Sequence, residues 1–197
     1  MLELNEKLSH AYLDDARMTP MFSKQDIGKL KPNGTYGLED DVEDDDWRLK
    51  VDAGDDLPDL SLKIDDLKAL PRVEQITKFC CIEGWSVVQQ WAGVRLLDFT
   101  RKYFPPGRAL PAYVYLATPS EEYYVGLDMK SALHPQTLLA YEINGAPLPD
   151  EHGAPLRLVI PVKYGIKNIK RIGSIQYTNE RPADYWEERG YDWFAGL

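Results

Sequence analysis

Apolar positions along the chain divide it into a polar first quarter and a remainder dominated by short strand-like runs. Trp47, Leu49 and Val51 alternate with polar residues, the period of a half-buried strand, and Leu60-Ser61-Leu62 continues the pattern. Residues 65–70 predict a short helix stopped at Pro71. Residues 72–79 form a β-type run that reaches Cys80-Cys81 and turns at Gly84 into Trp85, Ser86 and Val87. Residues 94–103 predict a helix, with Val94, Leu97 and Phe99 apolar and basic residues at both ends. Strands are expected at 113–117 and 123–127, joined by a polar turn, and at 138–143, 156–161 and 172–177. Asn144-Gly145, directly after the third of these, is the strongest short-range hairpin signal in the chain.

Hairpins mixed with short helices give an α+β class, with mixed β-sheets rather than an alternating parallel arrangement. Residues 1–46, punctuated by Pro20, Gly28, Pro32, Gly34 and Gly37, predict an arm laid over a single domain of residues 47–197. Tyr185, Trp186, Tyr191, Trp193 and Phe194 predict a C-terminal tail that packs down on that domain.

Composition narrows the function classes. A length of 197 residues with 44% hydrophobic content supports one substantial core. The net charge of -9 argues against nucleic acid and against anionic membrane surfaces as partners. Residues 39–46 hold seven acids in eight positions, so the rest of the chain is close to neutral. That run reads as a solvated loop, or alternatively as a docking site for a basic partner. No stretch of about 18 apolar residues is present to span a membrane. Met1 to Lys7 carries neither a basic segment nor an apolar one, so a cytoplasmic location is expected, or a periplasmic one if an export signal has been trimmed.

Two places carry chemistry. Cys80 and Cys81 are the only cysteines. Adjacent cysteines do not form an ordinary disulfide, which leaves two buried thiols or one metal-ligating or nucleophilic thiolate. The second place is Lys163-Tyr164-Gly165-Ile166-Lys167-Asn168-Ile169-Lys170, a basic, glycine-punctuated loop in an acidic protein. It reads either as solvated surface or as an anion site.

Several segments in order resemble the molybdopterin-binding domain of the sulfite oxidase family. They are Cys81-Ile82-Glu83-Gly84-Trp85-Ser86 with Trp91-Ala92-Gly93-Val94, then residues 132–142, Asn144 to Pro149, Gly153 to Leu158 and the lysine loop. Within the family the chain is most similar to bacterial protein-methionine-sulfoxide reductase catalytic subunits. The resemblance implies a fold built around a cofactor cleft and a molybdenum-molybdopterin cofactor without a nucleotide. It implies Cys81 as the molybdenum ligand, with Cys80 a core residue. It further implies Arg157, Lys163, Lys167, Asn168, Ile169 and Lys170 around the cofactor phosphate, and His152, Thr118, Asn33, Tyr36 and Gly37 against the pterin. Gly37 stands where the reductases carry a glutamate. His134 reads as structural.

Glu83 stands where sulfite oxidases carry arginines that bind their anionic substrate. A carboxylate there would repel sulfite. It could deliver a proton during reduction of an S-oxide or N-oxide, or serve only as a structural group bonded within its own turn. The expected activity is therefore oxygen-atom transfer on a small or peptidyl S-oxide. The alternatives are sulfite oxidation, or a non-catalytic molybdopterin-binding subunit. The chain is too short for a haem domain, so electrons are expected from a separate partner, a cytochrome or a membrane haem subunit.

Overall fold

The computed structural model describes residues 18–38, 46–54 and 57–197. The acidic run up to residue 45, the N-terminal segment weighed for an export signal, and residues 55–56 lie outside the described residues. Among the described residues, ten strands form two sheets. The first has the order β2-β1-β10-β5-β6 and contains β1 (Leu49–Asp52), β2 (Leu60–Leu62), β5 (Tyr113–Ala117), β6 (Tyr124–Asp128) and β10 (Ser174–Thr178). Only β1 and β10 run parallel in it. The second has the order β3-β4-β7-β8, with β9 also paired to β7. Its strands are β3 (Arg72–Cys80), β4 (Ser86–Arg95), β7 (Leu138–Ile143), β8 (Ala146–Pro147) and β9 (Arg157–Val159), all antiparallel. Helices are few and short: α1 (Ile64–Lys68), α2 (Leu96–Tyr103) and α3 (Met129–Ala132). The fold class is α+β, as the hairpins predict.

The second sheet is buried on both faces, and side-chain alternation explains how. Leu139 and Tyr141 of β7, Val94 of β4 and Leu158 of β9 join the main core, which also draws Leu49, Val51, Val114, Leu116 and Ile175 from the first sheet. Leu138, Ala140 and Ile143, with Trp91 and Val159, face the other way and form a second, smaller cluster. β7 changes phase partway along. Trp91 pairs with Ile143 and Gly93 with Ala140, so Tyr141 is an extra residue, a bulge that brings Ile143 and Ala140 to the same face. Gly93 sits opposite this bulge, where an added Cβ would collide with the Leu139 carbonyl and lie 2.6 Å from Ala140 Cα.

Two elements differ from the pattern-based reading. Residues 86–95 form the longest strand in the molecule, so the helix expected over 94–103 begins only at Leu96. The strand escapes the alternation rule because six consecutive residues, 89–94, are all buried, Gln89 and Gln90 among them. Leu96 N–H then donates to the Thr137 carbonyl (3.0 Å), which turns the chain out of the sheet into α2. Cys80 is half-buried at the end of β3 rather than enclosed in the core.

The described part of the arm crosses the β3–β4 hairpin. Phe22 N–H donates to the Ile76 carbonyl (2.9 Å) and Gly28 N–H to the Val88 carbonyl (3.0 Å). Upstream, the Gln136 side chain accepts from Thr19 N–H (2.8 Å) and donates to the Thr19 carbonyl (3.0 Å). The aromatic tail is packed down as expected, with Trp193 and Phe194 in the main core.

The tight contact at Gly93 yields a test. Gly93→Ala forces β7 away from β4, an overpacking cost on the order of 3 kcal/mol. Thermal unfolding should then show a Tm lowered by about 6–12 °C.

Candidate functional site

One parity of the second sheet builds the floor of a cleft. Val87, Gln89 and Trp91 alternate along one face of β4, Phe79 is paired across from Val87, and Arg157 of β9 is paired with Ala140. With Ile143 and His152 they line a cleft of about 290 Å³ of empty volume, whose roof is Lys31 and Asn33 of the arm.

Arg157 is buried on this floor. Its guanidinium stands 4.8 Å from the Trp91 ring centre. It donates to the carbonyls of His152 (3.1 Å) and Asn168 (3.2 Å). Lys170 donates to the carbonyls of Glu151 (2.8 Å) and Gly34 (2.9 Å). Among the described residues neither cation is paired with a carboxylate. Burial lowers the Arg157 pKa to about 10. Burial, followed by the neighbouring Arg157 charge, lowers that of Lys170 to about 7. His152, 4% exposed, sits beside both with its Nε2 lacking a hydrogen-bond partner. Burial and then the two cations hold its pKa near 4, so the ring is neutral at pH 7. The buried Arg157 cation, a Lys170 only partly protonated at pH 7 and a ring nitrogen that lacks a hydrogen bond make a donor set suited to an anion, with the exposed Glu151 carboxylate 3.7 Å from His152 Nε2.

Cys81 closes the other end of the arm's path. It ends β3 in a five-residue turn in which Cys81 N–H donates to the Trp85 carbonyl (2.9 Å) and Gly84 N–H to the Cys81 carbonyl (3.1 Å). Gly84 supplies the left-handed backbone (φ 90°) that this turn needs. The thiol is 5% exposed, with Asn33 Oδ1 at 3.6 Å and Glu83 Oε2 at 3.7 Å. Burial raises its pKa; a hydrogen bond to the Glu83 backbone opposes this and the Glu83 carboxylate adds to it. Glu83 itself is exposed and accepts from Trp85 Nε1 (3.3 Å), while Lys31 Nζ lies 4.1 Å from the Trp85 ring centre. Among the described residues no group of three or more His, Cys, Asp or Glu side chains could hold a metal ion. A metal on Cys81 would therefore take most of its ligands from a bound group.

The structure places Asn33 and Glu83 against Cys81, and His152, Arg157 and Lys170 beside one another; Asn33 lines the cleft with His152 and Arg157. Gly37, buried at φ 74°, packs so tightly on Thr118 that any side chain there would run into it. Tyr36 leans on Tyr185 and Trp186, with ring centres 5.4 and 5.8 Å away. Asn168 and Ile169 shape the loop beside Arg157: Asn168 Oδ1 accepts from Ile160 N–H (2.8 Å) and the Ile169 carbonyl from Leu158 N–H (2.9 Å). Lys163 and Lys167 are engaged elsewhere. Lys163 donates to the Phe194 carbonyl (2.8 Å). Lys167 forms a buried ion pair with Asp184 (2.5 Å) and donates to the Gly126 carbonyl (2.9 Å). His134 is fully buried, in keeping with its structural reading. Lys31, Phe79 and Gln89 were not singled out from the sequence; the odd-numbered parity of β4 would have pointed to Gln89 had that strand been legible.

The family model described as "Oxidoreductase molybdopterin binding domain" matches residues 36–186. This chain belongs to that family. Among its relatives, a protein of Azospira oryzae named "Putative protein-methionine-sulfoxide reductase subunit YedZ1" is 35% identical over the whole chain and 74% of its own length. The protein-methionine-sulfoxide reductase catalytic subunit MsrP of Xanthomonas campestris is 39% identical over 72% of this chain. Its counterpart in Campylobacter jejuni is 35% identical over the same share. The matches cover about half of each MsrP protein (48% and 52%). The sulfane dehydrogenase SoxCD of Paracoccus pantotrophus shares the fold, with a TM-score of 0.63 at 19% identity over 72% of this chain and 40% of that one. As a molybdopterin-binding oxidoreductase domain, the chain has in the Arg157–Lys170–His152 cradle a donor set that fits a phosphate-bearing pterin. No helix among the described residues is long and apolar enough to cross a membrane.

The low pKa of His152 gives a pH signature. Between about pH 6.5 and pH 4 the unfolded chain binds a proton that the folded chain excludes, so stability is lost as pH falls through that window. In cofactor-free protein, wild type should lose on the order of 1–2 kcal/mol more than His152→Asn between pH 7 and pH 4.5, measured by thermal unfolding.

Proposed function

We propose that the protein reduces an S-oxide, small or peptidyl, by oxygen-atom transfer at a molybdenum-molybdopterin cofactor bound across this cleft. The observation that carries the reading is the buried pair Arg157 and Lys170, neither in an ion pair among the described residues, with Lys170 on Gly34 of the arm and the Cys81 thiol against Asn33 of the same arm. Arg157 and Lys170 hold the cofactor phosphate, with His152 Nε2 and the backbone of Asn168 and Ile169 completing the cradle. Asn33, Tyr36, Gly37 and Thr118 form the arm-side wall against the pterin. Lys163 and Lys167 serve by folding the loop, their charges compensated within it. Cys81 supplies the thiolate, a soft ligand matched to a dithiolene-bound metal that also removes its proton.

When bound, the cofactor supplies oxygen-atom transfer: the S–O bond breaks, and two electrons with two protons turn the oxygen into water. Glu83 stands 3.7 Å from the sulfur and open to solvent, placed to pass a proton to the departing oxygen. The same carboxylate disfavours an anion such as sulfite. Electrons come from a separate protein, a cytochrome or a membrane haem subunit. The names of the reductase relatives support the S-oxide over other oxygen donors.

Paired cysteine variants test the reading. Cys81→Ser should abolish S-oxide reduction with a viologen donor and remove the thiolate-to-metal absorption, with pterin content falling less. Cys80→Ser should keep both and cost about 1 kcal/mol in stability. Full activity in Cys81→Ser would overturn the assignment. Arg157→Lys keeps the charge but loses the fork, and should lower pterin retention roughly tenfold, about 1.4 kcal/mol.

A further inference from the structure

Beside the backbone bond from Gly28 N–H to the Val88 carbonyl, the arm meets the cleft through a relay of amide groups whose direction is set at one end by the backbone. At the hairpin turn after β7, Asn144 has a positive φ of 51°, which carries its own carbonyl away from β4. The backbone ladder between the strands is thereby cut short. Asn144 N–H still donates to the Gln90 carbonyl (2.8 Å), but Gln90 N–H finds the Asn144 side-chain oxygen instead, at 3.0 Å. Because an N–H only donates, Asn144 must present Oδ1 to it and turn its Nδ2 outward. Nδ2 donates to Gln89 Oε1 at 2.6 Å. Gln89 is then obliged to present Nε2 to the arm, where it donates to the carbonyls of Gly28 (3.1 Å) and Lys29 (3.5 Å). Gln89 is 2% exposed, so an amide turned the wrong way has no water to satisfy it.

We infer that Asn144 and Gln89 are positioning residues that clamp arm residues 28–29 and so hold Lys31 and Asn33 over the Cys81 thiol. The relay makes no hydrogen bond to Cys81, Arg157, Lys170 or His152, although Gln89 also lines the cleft; it reaches the thiol through the arm. Its logic is polarity, not size. Asn144→Asp keeps the shape and the left-handed turn but replaces the Nδ2 donor with an acceptor; Gln89 must then turn its own donor back and set an oxygen against the Gly28 carbonyl. Gln89→Glu does the same directly.

The test uses cofactor-free protein, so it does not depend on turnover. Limited trypsin digestion reads arm release through cleavage after Lys29, and iodoacetamide labelling followed by peptide mass spectrometry reads exposure of Cys81. We expect both variants to be cut after Lys29 and labelled at Cys81 at least fivefold faster than wild type, with no comparable acceleration elsewhere in the chain. Gln89→Asn, too short to bridge to the arm yet without charge, is expected to follow them and guards against either charged variant failing to fold. Wild-type rates at both sites in the folded variants would overturn the inference. So would acceleration spread evenly over the chain together with a lowered Tm, since that reports a weakened fold. The inference rests on the reading of Asn33 and Cys81 as one site, but it fails separately from it: a molybdenum-free wild type would sink the function while leaving the clamp measurable.

Discussion

A guanidinium enclosed on all sides with no carboxylate beside it sets the terms for this fold. Desolvating such a charge is costly, and attraction to a neighbouring acid is the usual remedy. Here Arg157 is instead satisfied by main-chain carbonyls from two separate loops and by the face of Trp91. Both loops must be held rigidly for that to work, which gives a reason for the buried ion pair of Lys167 with Asp184 and for the seat of Lys163 on the Phe194 carbonyl. The C-terminal aromatic tail is thus part of the support for a cation that it does not touch.

Much of this was legible in the sequence where local rules decide. Apolar patterning located eight of the strands, Asn144-Gly145 announced its hairpin, and the turn at Gly84 was visible from its glycine. Legibility failed where both faces of an element are buried. β4 reads as no regular pattern because Gln89 and Gln90 stand among apolar neighbours, and their amides are explained only by the arm and the hairpin turn that meet there. The lysine loop shows the same limit. From the sequence, Lys163, Lys167 and Lys170 look like equivalent cations. Their difference lies in contacts to Phe194, Asp184 and Gly34, residues 31 and 17 positions downstream and 136 upstream, which no local pattern encodes. Cys81 and Arg157 stand out only through resemblance; the structure adds that one arm segment meets the Cys81 thiol at Asn33 and the Lys170 ammonium at Gly34.

The cysteine turn and the cradle belong to different hairpins of the same sheet. What joins them is the arm, a segment outside that sheet, through Asn33 at the thiol and Gly34 at Lys170. Burial raises the pKa of the Cys81 thiol, and Asn33 lies against its sulfur.

The bulge at Tyr141 has an evolutionary consequence. It uncouples the phase of the hairpin end of β7 from the phase of its core end. Ile143 and the turn beyond it answer to the cleft, while Leu139 answers to the main core. A lineage can therefore lengthen or recast the segment from 143 to 148 without retuning the packing between the sheets. Descendants of such a fold are free to diversify what they hold while inheriting, nearly unchanged, how they stand.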